Sequence, residues 1–343
     1  MSSGETAGRN RIEFLDAVRG VAASLVVFHH LMVNISPEYR WFGHTFFDPG
    51  RIGVVAFFLV SGYVIPMSLR SGSQKAFWLK RFFRLFPVYW VAFALYFAVA
   101  HESISDAPLW VWGMNFLMLN GLLGLVSILP PAWTLSIELL FYVQSSAARI
   151  RGLLDKAIHA GWLWLALFLA LAVGSRVLGK DLPVTLPLLM FCAALGHALY
   201  LRDHAGSGVW KYLLGAGLVL GPVGTYVRGH DGEWAPLTYS LSFLMGLGLF
   251  FAFYLLQARP VPKVLMSLGG ISYSLYLFHI TVTYALHDLL GLGGPVYFLA
   301  GAAASLVLAY LAHRFVEEPF NHVGRALARP RSGVPVGEPA RTP

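Results

Sequence analysis

Residues 12–33 read IEFLDAVRGVAASLVVFHHLMV, an apolar run that carries Arg19 and His30 in its interior. About 20 apolar residues allow a helix to cross a bilayer, so this stretch predicts a membrane span. Charged and imidazole side chains are unfavourable in such a span and usually face a protein interior or a watery cavity. Eleven residues make about three helical turns, which puts Arg19 and His30 on one face about 16 Å apart. The neighbouring His29 lies on a different face, and we expect it to be structural.

The composition extends this prediction to the whole chain. The 343 residues are 57% hydrophobic and 12% charged, with a mean hydropathy of +0.64. These values exclude an ordinary soluble domain and indicate an all-α, polytopic membrane protein. The single cysteine, Cys192, allows no intrachain disulfide. Membrane topology explains the net charge of +8 better than an anionic partner does, and we expect no nucleic-acid partner.

Ten apolar segments are long enough to span a membrane. They cover residues 12–34, 52–69, 84–100, 131–147, 160–177, 183–201, 209–227, 236–257, 264–286 and 294–316. A further apolar segment, 108–130, is interrupted by Gly, Asn and Pro and is predicted to be re-entrant or interfacial. We therefore expect one transmembrane domain at 12–320, an N-terminal cytoplasmic segment at 1–11 and a disordered basic tail at 321–343.

The distribution of Lys and Arg predicts the orientation. With the N-terminus inside, nineteen of the 25 basic residues fall in cytoplasmic segments and five in outer loops, while Arg19 lies within the first span. Cytoplasmic loops are enriched in Lys and Arg, so this distribution predicts ten helices with both termini cytoplasmic. An eleventh full span at 108–130 would invert the second half and remove the bias. No clear cleavage site follows the first apolar run, so we expect it to be retained.

The predicted topology gives the polar residues a depth. His30, Glu138 and His279 fall about 6–10 Å inward from the outer ends of their spans. These three titratable groups are therefore predicted to meet in one layer in the outer half of the membrane. The alternative for each histidine is a structural hydrogen bond to a neighbouring helix, whereas a carboxylate at that depth must be protonated, paired or functional.

A second predicted layer lies toward the cytoplasm. Arg19 is near the inner end of its span, and Arg81 and Arg84 lead into the third span on one helical face. Guanidinium groups bind phosphates through paired, charge-assisted hydrogen bonds. Asp16, three residues before Arg19, is the predicted carboxylate partner of that arginine. Alternatively, Arg81 and Arg84 only mark the cytoplasmic side and extend toward lipid headgroups.

Six short motifs follow one another from residue 14 to residue 320. They are FLDAVRG (14–20) with His30, FFLVSGY (57–63), RFFR (81–84), WTLSIE (133–138) with FY (141–142), SYSLYLFH (272–279) and EEPF (317–320). In this order they resemble the signature of the acyltransferase 3 family of membrane O-acyltransferases. Many members carry an acidic residue in the second span where this chain has Val55, so no role is carried over to that position. Some members also carry a fused periplasmic hydrolase-like domain, which has no counterpart here.

The resemblance implies an enzyme that takes an acyl group, most often acetyl, from cytoplasmic acyl-CoA and delivers it to a hydroxyl, commonly on an envelope sugar. It implies that Arg81 and Arg84, with Arg19, hold the nucleotide phosphates, and Arg19 is also counted with His30 and Glu138 among the expected catalytic residues. His30 would be the general base, and Glu138 would orient it as the third group of a triad does. We expect no metal, and a CoA donor together with the charge bias favours the bacterial inner membrane.

Supporting roles are assigned to several further residues. Whether transfer is direct or passes through an acyl-enzyme on Ser61, Tyr63 or Ser136 stays open, since hydroxyls in spans usually bond to backbone or to facing helices. Trp133 marks the outer interface or stacks on a sugar. His279 belongs to the predicted outer layer as a supporting group.

Several alternatives remain at this stage. The acceptor could be a small molecule such as an antibiotic or a lipid, and a separate periplasmic or glycan-assembly partner could complete the reaction. Membrane lipid is the expected partner of the basic tail. A transporter of a lipid-linked or anionic sugar would use the same intramembrane His, Glu and Arg, although no internal repeat is present. A non-catalytic scaffold would leave the outer layer dispensable.

Overall fold

The structure is a computed structural model that describes residues 3–104, 107–229 and 235–329. All regular secondary structure in these ranges is helical. The predicted tail beyond residue 329 lies outside the described residues, as do the first two residues of the N-terminal segment.

Ten helices in the described ranges have 18 or more residues. They are α1 (Ser3–Ile35), α3 (Pro49–Arg70), α4 (Gln74–Ile104), α6 (Trp133–Ile150), α7 (Ala160–Leu178), α8 (Thr185–Ala205), α9 (Val209–Arg228), α10 (Pro236–Leu255), α11 (Lys263–Tyr284) and α12 (Gly294–Ala312). Three helices are shorter: α2 (Pro37–Thr45), α5 (Leu109–Phe116) and α13 (Glu318–Leu327). Each long helix corresponds to one predicted apolar segment.

Eight regions of the described chain are both long and apolar enough to cross a membrane. They contain all the long helices except α6 and α9, which reach 18 and 20 residues but are less apolar. The chain is thus an all-α, multi-pass membrane protein. Helix α4 begins ten residues before the predicted span at 84, which places Arg81 and Arg84 well inside it.

Close contacts fix how the helices cross. Phe14 of α1 touches Tyr63 of α3, with ring centroids 5.9 Å apart, and further along α1 the Ala22 carbonyl oxygen would lie 2.5 Å from a Cβ atom on Gly53 of α3, so the two helices are antiparallel. We call the end of the bundle at which the apolar part of α1 begins the inner end, and the opposite end the outer end. Helix α8 lies at the centre and is buried along almost its whole length.

The described part of the connection between α4 and α6, residues 107–132, contains no long helix, as expected of a segment predicted to be re-entrant or interfacial. It forms only α5 and two 3₁₀ turns, Asn120–Leu122 and Pro130–Ala132. Buried Asn115 organises it: its side-chain amide donates to the carbonyls of Val111 and Val126 at 2.9 and 3.0 Å, and its oxygen accepts from the Ile128 N–H at 2.9 Å. Internal bonds of this kind allow irregular backbone to lie within a membrane protein.

The C-terminal part corrects one prediction. Residues 321–327, expected to be disordered, continue α13, which packs against α4 where Gly324 faces Phe83. A π-helical turn, His313–Glu317, joins α12 to α13. Glu317 is buried there and accepts hydrogen bonds from Ser274 Oγ at 2.8 Å and from the His313 ring at 3.1 Å. Anchoring by α4 and by this buried carboxylate orders a segment whose composition alone suggests disorder.

Candidate active site

An inner cavity lies where α1, α3, α4, α6 and α11 meet. It contains about 730 Å³ of empty space. Its polar lining includes Arg19, Ser61, Arg81, Arg84, Glu138 and Tyr142. The three arginines of the predicted inner layer therefore face a single space, although Arg19 lies on α1 and the other two lie on α4.

The arginines outnumber the carboxylates among the residues that line the inner cavity. Arg19 donates to Asp16 at 2.9 Å, as predicted. The Arg81 guanidinium stacks on the Tyr142 ring at 5.3 Å, and its buried Nε has no hydrogen-bond partner among the described residues. Among the described residues that line the cavity, Glu138 is the only carboxylate. Buried charges are normally paired, so this cavity has the donor set and the excess positive charge that an anionic group such as a phosphate requires.

Glu138 is held inside the inner cavity. One of its oxygens, Oε1, accepts from Ser61 Oγ at 2.9 Å and from the Tyr142 hydroxyl at 2.5 Å. Tyr142 lies four residues after Glu138, one helical turn along the same face, a spacing from which the sequence could have identified it. Ser61 is thus the one candidate acyl-enzyme hydroxyl that faces this cavity.

His30 meets His279 and not Glu138. The Nε2 of His279 lies 3.3 Å from the Nδ1 of His30, because α1 and α11 run in the same direction and touch at Gly20 and Gly269. The predicted contact between His30 and Glu138 is therefore not found. The turn Pro130–Ala132 that ends the segment 107–132 has two buried residues, so α6 begins inside the bundle, and Glu138 lies as far in as its partner Ser61.

The hydrogen bonds fix which ring nitrogens carry protons. His30 Nδ1 lies 2.8 Å from the Val26 carbonyl, and His279 Nδ1 lies 3.1 Å from the Leu275 carbonyl. A carbonyl oxygen only accepts, so Nδ1 of each ring is the donor. The single His30 Nδ1–H is then shared between the Val26 carbonyl and the lone pair of His279 Nε2. The Nε2 of His30 is unprotonated and has no hydrogen-bond partner among the described residues, which is the state that a general base needs.

His30 lines a second, outer cavity with about 850 Å³ of empty space. Its polar lining includes His29, Asn34, Arg40, His44, Asp48 and Arg51. Asp48 caps the start of α3 and contacts the His29 ring at 3.2 Å and Arg51 Nε at 3.1 Å. His29, predicted to be structural, has that anchoring contact and also faces the cavity. The sequence pattern did not reveal Asp48 or Arg51, because both lie at a loop–helix junction.

A third, smaller space of about 360 Å³, the side pocket, lies against the same face of α3. Its apolar lining includes Val54, Val55, Trp133, Leu188, Leu189 and Phe243. It shares Val54 with the inner cavity and Arg51 with the outer cavity. Trp133, predicted to lie at the outer interface or on a sugar, is placed in this pocket.

The remaining candidates serve the fold. Ser136 accepts from the Gly121 N–H at 3.1 Å and ties the segment 107–132 to α6. Tyr63 donates to Asp203 at 2.8 Å, away from the three cavities.

An aromatic contact between Phe57 and Tyr276, with centroids 5.7 Å apart, lies between the arginines and His279. No group of three His, Cys, Asp or Glu side chains suited to a metal ion occurs in the described part of the chain.

Comparison with known proteins identifies the class. The acyltransferase domain of the acyltransferase 3 family matches residues 12–314, so this chain belongs to that family. It is a membrane O-acyltransferase, which removes the transporter and the scaffold as alternatives.

Its relatives are distant but extend over most of the chain. The chain is 26% identical to the exopolysaccharide production protein ExoZ of Rhizobium meliloti (strain 1021), a match that covers 83% of this chain and 93% of ExoZ. It is 26% identical to the acyltransferase MdmB of Streptomyces mycarofaciens, over 85% of each chain. It is 22% identical to a Staphylococcus aureus (strain COL) protein to which O-acetyltransferase activity is attributed, over 90% of this chain but 57% of the relative. No solved structure matches the chain.

Proposed function

We propose that this O-acyltransferase takes an acyl group, acetyl in the simplest case, from acyl-CoA and transfers it to a hydroxyl of an envelope or exported glycan. The main observation behind the proposal is that α1 carries an arginine and a histidine at two different depths, where they face two different cavities. Arg19 shares a buried cavity with two further arginines, whereas His30, about 16 Å along the helix, presents an unprotonated nitrogen to the outer cavity. A donor with a charged head and a long uncharged arm fits that separation.

The donor side of the mechanism follows from the inner cavity. Arg81 and Arg84, with Arg19, bind the phosphates of CoA, and the unpartnered Nε of Arg81 gains an acceptor. Three guanidinium groups at one end of the site fix the donor's direction. The pantetheine arm then extends toward His30, past Phe57 and Tyr276, and brings the thioester toward the base.

The acceptor side follows from the two histidines. His30 Nε2 removes the proton of the acceptor hydroxyl while its oxygen attacks the thioester carbonyl. The carbon–sulfur bond breaks, and the departing CoA thiolate takes the proton from His30. His279 accepts from the His30 Nδ1–H, so it holds the ring and stabilises the imidazolium. This is the orienting role that the sequence had assigned to Glu138.

The nature of the acceptor is supported by the relatives and by the outer cavity. ExoZ is named for exopolysaccharide production, and the outer cavity offers charged and amide groups that suit a polyhydroxylated sugar. A small-molecule acceptor is the second candidate, since the name of the related acyltransferase MdmB specifies no glycan. Proposed partners are membrane lipid and a glycan-assembly protein, and the proposed location is the bacterial inner membrane.

The proposal is tested with purified protein, [¹⁴C]acetyl-CoA and two acceptor fractions, envelope glycan and small metabolites. We expect release of free CoA and label in the glycan fraction. His30→Ala should lower turnover at least about 100-fold, because it removes the base. His197→Ala, which removes a buried histidine of α8 outside the three cavities, is the matched control and should stay active.

Two results would contradict the proposal at different points. Normal turnover by well-folded His30→Ala would show that His30 is not the base. Label in the metabolite fraction alone would replace the glycan by the small-molecule acceptor, and no CoA release with either fraction would reject acyl-CoA as the donor.

A further inference from the structure

The side pocket is not used by the mechanism above. It lies between α3, α8 and α10 and is walled by Val55, Leu188, Leu189 and Phe243, each of which is at least nine-tenths buried. Gly246 of α10 packs so tightly against Val55 that a Cβ atom there would lie 2.6 Å from the valine Cβ. The close contact with Gly246 therefore fixes the position of Val55 in the pocket wall.

Three of the polar residues at the pocket are engaged with protein partners. Tyr239 donates to Thr185 Oγ1 at 3.1 Å, and Ser242 Oγ accepts from the Asp48 N–H at 2.8 Å. Arg51 pairs with Asp48 at 3.1 Å. Apart from the Arg51 guanidinium at one edge, the surface that remains for a ligand is hydrocarbon, so the pocket suits an alkyl group better than a sugar or a phosphate.

The position of the pocket identifies which alkyl group can reach it. Along α3, Arg51 faces the outer cavity and Val54, one turn further in, faces the inner cavity, and both also line the pocket. A thioester that runs from the inner arginines toward His30 passes this junction. Its CoA arm occupies the inner cavity and the incoming hydroxyl arrives from the outer cavity, which leaves the side pocket for the acyl chain.

We propose that the side pocket binds the alkyl tail of the donor's acyl group, so that this enzyme transfers short acyl chains longer than acetyl. The inference rests on the proposed function and adds the chain length to it. Val55, the position at which family members often carry an acid, is then a wall of the acyl-chain site.

The test compares acetyl-, butyryl- and hexanoyl-CoA with one acceptor fraction, by kcat/KM from CoA release. The wild-type enzyme should use butyryl-CoA at least as well as acetyl-CoA, since each methylene that becomes buried adds about fourfold in selectivity. Leu189→Ala enlarges the pocket and should raise the hexanoyl-to-acetyl ratio about fivefold or more. Val55→Phe fills it and should lower the butyryl-to-acetyl ratio about tenfold.

Leu195→Ala is the matched control, because Leu195 lies on the same helix, is fully buried and lines none of the three cavities. Its chain-length ratios should equal those of the wild type. A wild-type enzyme that uses acetyl-CoA alone would overturn the inference and leave the proposed function intact. Equal losses for all three donors in Val55→Phe, with unchanged ratios in Leu189→Ala, would also overturn it. They would show that the pocket contacts a part of the donor that all three share. Absence of turnover with every donor would instead overturn the proposed function.

Discussion

His279 completes the geometry of His30 from a helix that lies about 250 residues further along the chain. It is fully buried, and its ring lies within hydrogen-bond distance of the Leu275 carbonyl and of the His30 ring. A neutral ring in this position provides a lone pair for the His30 Nδ1–H, which keeps the base in the correct tautomer. We therefore treat His279 as a positioning residue.

Replacing His279 should affect the chemical step more than donor binding. In His279→Ala, kcat is expected to fall about 10- to 100-fold, because the orienting acceptor is lost while His30 itself remains. The KM for acyl-CoA should stay within about twofold, since the arginines are untouched. His279→Gln, whose side-chain oxygen can accept the same hydrogen bond, should recover part of kcat. A parallel rise in donor KM, or no recovery by glutamine, would indicate a merely structural role.

The sequence was more informative about the arginines than about the base. Helical spacing placed Arg81 and Arg84 on one face, and the positions of Arg19 and Asp16 predicted their contact correctly. The partner of His30 was predicted incorrectly, because the depth of Glu138 was counted from a span that starts at the outer surface. The buried turn that displaces α6 inward depends on tertiary bonds of Asn115, Asn120 and Ser136, which no local pattern encodes.

At the scale of elements, the crossing of α3 and α8 determines where the site can form. A Cβ atom on Gly62 would lie 2.0 Å from the Ala193 carbonyl oxygen, and one on Gly196 would lie 2.1 Å from that of Leu59. The two backbones therefore touch without intervening side chains, as small residues allow in membrane helices. This contact holds α3 so that Ser61, next to Gly62, faces the inner cavity.

The glycine contact predicts a sharp difference between substitutions. Gly62→Ala and Gly196→Ala should each lower the thermal midpoint in detergent by about 5 °C or more, because the helices must separate. Gly215→Ala and Gly248→Ala are the controls, since nothing lies within 4 Å of a Cβ at either position. They should unfold at the wild-type temperature or slightly above it. Equal behaviour of all four variants in a thermal-shift assay would show that the α3–α8 contact is looser than described.

The helix pattern was predicted well at this scale because apolar length is a local property. Ten segments correspond to ten long helices, and the segment 108–130 lacks a span, as its Gly, Asn and Pro content indicated. The ends of the helices were less predictable from the sequence. Helix α4 extends ten residues beyond the apolar limit, and α13 forms in a polar stretch because α4 gives it a surface on which to pack.

At the scale of the whole molecule, the three cavities follow one another along α3 from the inner end to the outer end. On α3, Arg51 and Ile65 mark the extremes and lie about 21 Å apart along the helix axis. On the proposed function, donor and acceptor enter from opposite ends of the bundle. The distribution of Lys and Arg, which predicts cytoplasmic termini, assigns the donor to the cytoplasmic face.

The face of the membrane from which acyl-CoA enters is therefore a prediction that can be tested with the protein in its membrane. Inverted vesicles, whose cytoplasmic face is outward, should release CoA when acyl-CoA is added outside, whereas sealed right-side-out vesicles should show about background release until they are permeabilised. Acyl-CoA does not cross a bilayer readily because its phosphates are charged. Full activity of sealed right-side-out vesicles would reverse the orientation of the bundle.

The excess of arginines over carboxylates in the lining of the inner cavity has a consequence for the amount of this protein in the cell. Like charges gathered in a poorly hydrated space repel one another, and an anion that binds only the folded state relieves that repulsion and stabilises this state by mass action. On the proposed function, that anion is the donor itself. The supply of acyl-CoA would then govern how fast the enzyme works and also how much of it escapes quality control, so that the abundance of the protein follows the metabolic state of its host.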